Sequence, residues 1–452
     1  MRDQPAKITR ATTIREAYRA CDLQPLSGDK LAWHVELAGA RGVRERIAAC
    51  LEMRERSQFV HIGFTGHRGC GKSTELRKLE ADRRDELLVV YFEVTELLDP
   101  NDVAFTDLCI AITMKLAEAF SDAEMPLDQE ILGSIEAFGD AVVREATQTQ
   151  DATITIGAEA GLGGEIPFVA KLKAWLTSQF QASTQHKVTI RRIIERDITR
   201  LIDDTNRLLV DARQKLATAF PKRDLLIVLD NLDRLPTDAA ERLFFQHGAF
   251  LRQLQAHIIF TVPVSVTYSV HGLANAFPAR EMLPMVTIWQ YERDRARLDW
   301  ADAGLATMRS IVEARVDLEA VFDSPDLMSE LARWSGGCPR HLVQLVRDAC
   351  LSARADERGN VSRADVDGAI RHMQFDFERM IPVEHYPVLQ GIARDKRAPN
   401  DALGQAVLFN LSALEYNGER RWNYVHPLLW RIERFLEGMD GDRDSEEARP
   451  AI

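Results

Sequence analysis

Short, dense apolar runs alternate with longer amphipathic stretches along much of this chain. Phe59–Phe64, Leu87–Val94, Leu225–Asp230 and His257–Val264 are brief, rich in β-branched and aromatic side chains, and flanked by polar or turn residues. Such runs predict strands buried on both faces. Met282–Ile288 reads as a fifth. Between them the apolar spacing becomes helical: Val43 to about Glu55, the stretch beginning Thr74–Leu79, and Val103 to Phe120 after the turn Asp99-Pro100-Asn101-Asp102. Strands alternating with helices imply an α/β fold, with a mainly parallel sheet covered on both sides and a ligand at the C-terminal strand ends.

The alternation breaks in two places. From about 121 to 220 the pattern departs from the core. Ala152–Ile156 alternates like a strand and Gly161–Gly164 reads as a flexible turn, and Val188 to about Thr218 has one continuous helical stripe. A helix of that length is roughly 45 Å long, which predicts a projecting arm or a packed hairpin. A structural insertion and a partner-sensing or oligomerisation arm fit the stripe equally, because an amphipathic face says only that something covers it. Residues 1–56 read as a mostly helical lead-in with a turn at Leu26–Asp29 and a break at Gly39–Gly42. Near the other end, Tyr386–Asp395 and Ala402–Ala413 read as helices. Leu414–Tyr416, Asn417-Gly418 and Arg421–Val425 form a hairpin pattern.

Candidate chemistry concentrates after two of the predicted strands. Gly66-His67-Arg68-Gly69-Cys70-Gly71-Lys72-Ser73 follows the first and fits G-x-x-x-x-G-K-[ST]. Glycines at 66, 69 and 71 let backbone N–H groups approach phosphate oxygens at a helix N-terminus. Lys72 suits the β- and γ-phosphates, the Ser73 hydroxyl suits Mg²⁺, and Cys70 and Thr74 complete the loop's binding set. Cys70 is more simply a small filler residue. Leu225–Asp230 has the form of a Walker B strand, with Asp230 as the second metal ligand. The next residue, Asn231, cannot act as a carboxylate base but can position water. Asp233 is the substitute general base, although Asp233 and Arg234 also read as a helix cap. Thr261 or Ser265, after His257–Val264, suits the γ-phosphate or the attacking water.

The bulk numbers narrow the partners. The formal net charge is −12, so the chain as a whole is not a basic nucleic-acid binder, although a local basic patch is compatible with it. Its six cysteines contain no C-x-x-C pair, which points to reduced thiols rather than a disulfide framework or zinc site. The sequence has no apolar run of membrane-spanning length, and the expectation is a soluble, cytoplasmic protein with no membrane partner.

From about Arg41 to Phe435 these motifs resemble the AAA+ and STAND branch of P-loop ATPases. The Asp230-Asn231-Leu232-Asp233-Arg234 form looks more like STAND and KAP-type members than unfoldases. The resemblance implies a core over 57–300 with the insertion at about 121–220, a helical lid over 301–380, a winged helix over 381–440 and a disordered tail over 441–452. Ser335-Gly336-Gly337-Cys338-Pro339-Arg340 resembles a sensor 2 region, which implies that Arg340 contacts phosphates from the lid. His426, after the hairpin, matches the histidine that closes the STAND winged helix on the β-phosphate of ADP; the simpler alternative is a helix cap. The resemblance implies ATP and ADP with Mg²⁺, slow hydrolysis, homo-oligomerisation and an effector protein as partner, with bacterial defence as the family analogy. The alternative is an initiator-like, DNA-associated loader. Arg252 and Arg280 are the arginine-finger candidates.

Overall fold

The computed structural model describes residues 9–37, 42–55, 58–150, 168–170, 172, 184–291, 298–417 and 420–439. The expected strand at Ala152–Ile156, the turn at Gly161–Gly164 and the tail at 441–452 lie outside them. Strands β1 (His61–Gly66), β2 (Leu87–Glu93), β3 (Asp224–Asp230), β4 (His257–Pro263) and β5 (Ala279–Met282) form one parallel sheet. Its order is β2-β3-β4-β1-β5. Along β3 the side chains alternate between two hydrophobic cores: Leu225, Ile227 and Leu229 enter one, Leu226 and Val228 the other. A strand buried on both faces needs an unbroken apolar run, and β3 and β4 have one.

One face is covered by α1 (Ile14–Ala20), α2 (Val43–Glu52), α3 (Lys72–Asp82) and the C-terminal part of the chain. The opposite face is covered by α4 (Phe105–Asp122), α5 (Gln129–Gln150), α6 (Thr184–Arg196) and α7 (Ile198–Ala219). Of the projecting arm and the packed form that the sequence allows for this region, the described residues show packing: α7 buries Leu201, Leu208, Leu209 and Leu216 in the core that the sheet itself lines. The long helix is also two helices, broken at Asp197, whose backbone is non-helical at φ −114° and ψ 28°. The break lets both halves lay their stripes on α5 and α4 instead of projecting.

The fifth strand is also displaced. Ala279–Met282 pairs with β1, whereas Leu283–Ile288 is buried without being strand. That segment is apolar because it threads between the end of β1 and the Ser335–Cys338 turn: Leu283 N–H donates to the Thr65 carbonyl at 2.9 Å and Val286 N–H to the Gly337 carbonyl at 3.1 Å. A short ladder joins β6 (Trp289–Gln290) and β7 (Asp299–Trp300). Helices α8 (Asp302–Glu313), α9 (Leu327–Trp334), α10 (Pro339–Ala355) and α11 (Arg363–Met380) follow and pack together. The chain then forms α12 (Tyr386–Asp395), α13 (Ala402–Phe409) and the antiparallel hairpin of β8 (Ala413–Asn417) and β9 (Arg421–Val425). Tyr416, Trp422 and Tyr424 of that hairpin are buried against the rest of the chain. No described helix is long and apolar enough to cross a membrane.

Candidate functional site

The turn from β1 into α3 has positive φ at Gly66 (149°), Gly69 (83°) and Gly71 (113°). Side chains are also sterically barred at two of these: a Cβ on Gly66 would lie 2.4 Å from the Leu283 carbonyl oxygen, and one on Gly69 would lie 2.7 Å from the Arg340 Cβ. Lys72 opens α3 and folds back over this turn, donating to the carbonyls of Gly66 (2.7 Å) and His67 (2.9 Å). Its ammonium also pairs with Asp233 Oδ2 at 2.8 Å, with both side chains nearly buried. Burial alone would lower the Lys72 pKa, but the adjoining Asp233 carboxylate outweighs it and holds the lysine charged.

A parallel sheet of order β2-β3-β4-β1-β5, with a glycine-rich loop and lysine between β1 and its helix and an acid ending β3, defines the fold. It is a P-loop NTPase core.

A cleft opens on the loop. Five cationic side chains line it, Arg68, Lys72, Arg234, Arg315 and Arg340, against two acids, Asp22 and Asp233. Of the residues singled out in the sequence, Gly69, Gly71, Lys72, Ser73, Thr74, Asn231, Asp233 and Arg340 are brought together there. Arg340 reaches the loop from the start of α10, its N–H donating to the Gly69 carbonyl at 3.2 Å. Gly66 shapes the turn from behind. Cys70 faces inward; burial pushes its thiol up to about 11, which makes it a packing group and not a reactive one. Asp230 sits behind the cleft wall, accepting from the Tyr91 hydroxyl and, at 2.7 Å, from Asn231 N–H.

Several expected contacts are absent from the cleft lining. His426 is fully buried behind the lid, 3.1 Å from His341 Nδ1 through its Nε2 and stacked on Phe377 at 4.4 Å. Its Nδ1 accepts from Leu428 N–H at 3.4 Å, the capping role of the simpler alternative. Burial holds both histidines well below the usual imidazole range, so the pair is neutral. Thr261 Oγ1 is occupied by Leu232 N–H at 3.0 Å, and Ser265 lies against Thr237 at 2.9 Å. Arg252, a candidate to reach a neighbouring subunit's site, donates to the Asn275 and Ala276 carbonyls at 3.2 Å.

Other groups give no motif signal yet build the site. Asp22–Pro25 form one wall, and Leu26 N–H donates to Thr74 Oγ1 at 3.2 Å, tying the lead-in to the loop helix. Arg315, just beyond α8, lines both this cleft and an adjoining apolar slot that includes Leu26, Trp33, Leu37, Ile311 and Pro339. It is 8% exposed, its Nε has no partner, and burial lowers its pKa. The C-terminal hairpin touches the loop directly. His67 Nε2 accepts from Glu415 N–H at 2.7 Å, and the Arg68 guanidinium lies 5.4 Å over the Phe409 ring. Burial, then the Lys72 charge, drives the His67 pKa down to about 3, leaving a neutral acceptor for that bond.

No protein-family model matches the chain, and no curated protein sequence matches it. Solved structures similar to it include Cdc6p from Pyrobaculum aerophilum, at 12% identity over 94% of this chain and all of that one, TM-score 0.40. The Walker-type ATPase PABY2304 of Pyrococcus abyssi is similar at 12% identity, over 90% of this chain and 98% of that one, TM-score 0.42. The RuvB Holliday junction branch migration motor of Thermotoga maritima gives 12%, 90%, 97% and 0.38 respectively.

Proposed function

We propose that this chain is a AAA+-type ATPase that binds ATP with Mg²⁺, hydrolyses it slowly and changes its assembly with the nucleotide, as a STAND-like switch. The cationic cleft carries this reading. A chain of net charge −12 gathers five cationic side chains against two acids around a glycine-lined turn, which is the electrostatics of a polyphosphate site. Mg²⁺ uses few protein oxygens and completes its shell with phosphate and water. The Ser73 hydroxyl on the cleft wall and the Asp230 carboxylate behind it suit that role, and the ion would supply charge neutralisation at the phosphates.

A switch also needs contacts that differ between nucleotide states. Arg340 from the lid and Glu415 from the hairpin both bond to the phosphate loop itself. A nucleotide that shifts this loop therefore acts on both at once. The buried hairpin favours this internal role over a free DNA-reading wing.

Arg340→Ala is expected to weaken ATP binding by about tenfold, the worth of one charge-assisted hydrogen bond to phosphate. Isothermal titration with ATP and ADP reads this directly, and unchanged ATP affinity removes Arg340 from the site. The functional reading is tested by measuring molecular mass with ADP and with a non-hydrolysable ATP analogue, each with and without duplex DNA. Assembly with the ATP analogue alone supports the switch. Assembly that needs DNA supports the loader, and one mass throughout rejects nucleotide-controlled assembly.

A further inference from the structure

Hydrolysis of a phosphoanhydride needs an acceptor that orients the attacking water and takes its proton. Asn231, the residue after Asp230, is a neutral amide and cannot take one. Three carboxylates stand at the C-terminal ends of the two adjacent strands β2 and β3. Asp230 already accepts from Tyr91 and from Asn231 N–H. Asp233 lies against the Lys72 ammonium at 2.8 Å, so this carboxylate is already engaged by the lysine. Glu93 is the third. It ends β2 in direct register with Asp230 and is half-buried.

Glu93 accepts a hydrogen bond from Asn231 Nδ2, a neutral donor. The Asn231 backbone is left-handed, at φ 66°, a conformation that asparagine tolerates better than most residues. From there its amide reaches both Glu93 and, at 3.3 Å, Thr95 Oγ1. Asn231 itself lines the phosphate cleft, so Glu93 stands one hydrogen bond behind the cleft wall. The Tyr91 hydroxyl on β2 donates to Asp230, and Glu93 ends the same strand opposite Asp230, so the two acids share one locality.

Building on the ATPase reading above, we infer that Glu93 is the carboxylate that takes the proton of the attacking water, and that Asn231 is the residue that positions it. The water oxygen bonds to the γ-phosphorus, and the bond from γ-phosphorus to the β–γ bridging oxygen breaks. Its electron pair leaves with ADP. One water proton passes to the Glu93 carboxylate and from there to the phosphate product, which restores the carboxylate. Asp233 serves as the counter-ion of Lys72 and not as the base.

The test compares the full chain with Glu93→Gln, Asn231→Ala and Asp233→Asn for ATP affinity and single-turnover hydrolysis. Glutamine keeps the size of Glu93 and an oxygen for the Asn231 bond. Glu93→Gln is expected to slow the chemical step by at least about a hundredfold, with ATP affinity within about twofold of the parent. Asn231→Ala is expected to lower kcat and leave KM in place, a split that a loss of packing does not produce. Turnover of Glu93→Gln within about threefold of the parent overturns the inference, as does a larger loss of the chemical step in Asp233→Asn. A parent that binds ATP without hydrolysing it overturns this inference and leaves nucleotide binding standing. A parent that binds no ATP overturns the functional reading itself.

Discussion

Lys72→Ala is expected to weaken ATP binding by at least about a hundredfold, the equivalent of about 3 kcal/mol. The lysine is the one ammonium lining the cleft, and its side chain already curls over the loop to the Gly66 and His67 carbonyls. A phosphate arriving there meets a charge that is buried, oriented and held protonated. Alanine also takes from the buried Asp233 its nearest cation, and breaking comparable buried pairs costs about 3–5 kcal/mol of stability. Lys72→Met combined with Asp233→Asn removes both charges and separates the two effects. Titration calorimetry on the folded double variant must show the same loss of ATP affinity. Unchanged affinity in either variant removes the phosphate-loop assignment.

Asp233→Asn alone is expected to act with the opposite sign on binding. Asp233 holds the Lys72 ammonium at 2.8 Å, and a phosphate oxygen bound by Lys72 would share that ammonium with it. The two anions compete for one ammonium. Removing the resident one makes the empty state less stable and ATP binding tighter, by about tenfold if half of the pair's cost is recovered on binding. Thermal unfolding without nucleotide should occur at lower temperature, and added ATP should restore more of it than in the parent. Weaker ATP binding by this variant rejects competition and makes Asp233 a partner of the bound nucleotide.

The strand runs and the loop octet were readable because their information is local. A strand buried on both faces must be continuously apolar, and a backbone that turns with positive φ where a Cβ has no room must be glycine. Asp230 was legible on the same ground, as an acid closing such a run. Met282–Ile288 shows the limit of this logic. Its apolar character reports burial between loop and lid, and burial alone does not say which hydrogen bonds the backbone makes.

Charge pairing was the least visible part. Nothing near Asp233 in sequence shows that it meets Lys72, because that contact follows from strand order. Glu93 did carry a usable signal, an acid ending the strand beside β3, but its value depends on knowing that β2 and β3 are neighbours. Arg315 sits beyond a helix with no motif around it, and only the enclosed cleft makes its missing partner visible. His426 was placed by resemblance. The structure puts it among Phe377, His341 and Gly336, where a charged ligand would meet apolar surroundings.

The helical layer between β2 and β3 also sets a timetable for synthesis. Leu87 must wait for Asp224, and His61 for Ile258, before their ladders can form. On a ribosome β1, the phosphate loop and β2 emerge long before the strands that complete their sheet. Until then their edges are unpaired and their apolar faces exposed, which is the condition that recruits chaperones and favours aggregation. The four helices α4 to α7 emerge in that interval, and their contacts with one another are nearer in sequence than the β1–β4 and β2–β3 ladders. They are expected to assemble first and to offer β2 a surface to rest on while its strand neighbour is still unmade.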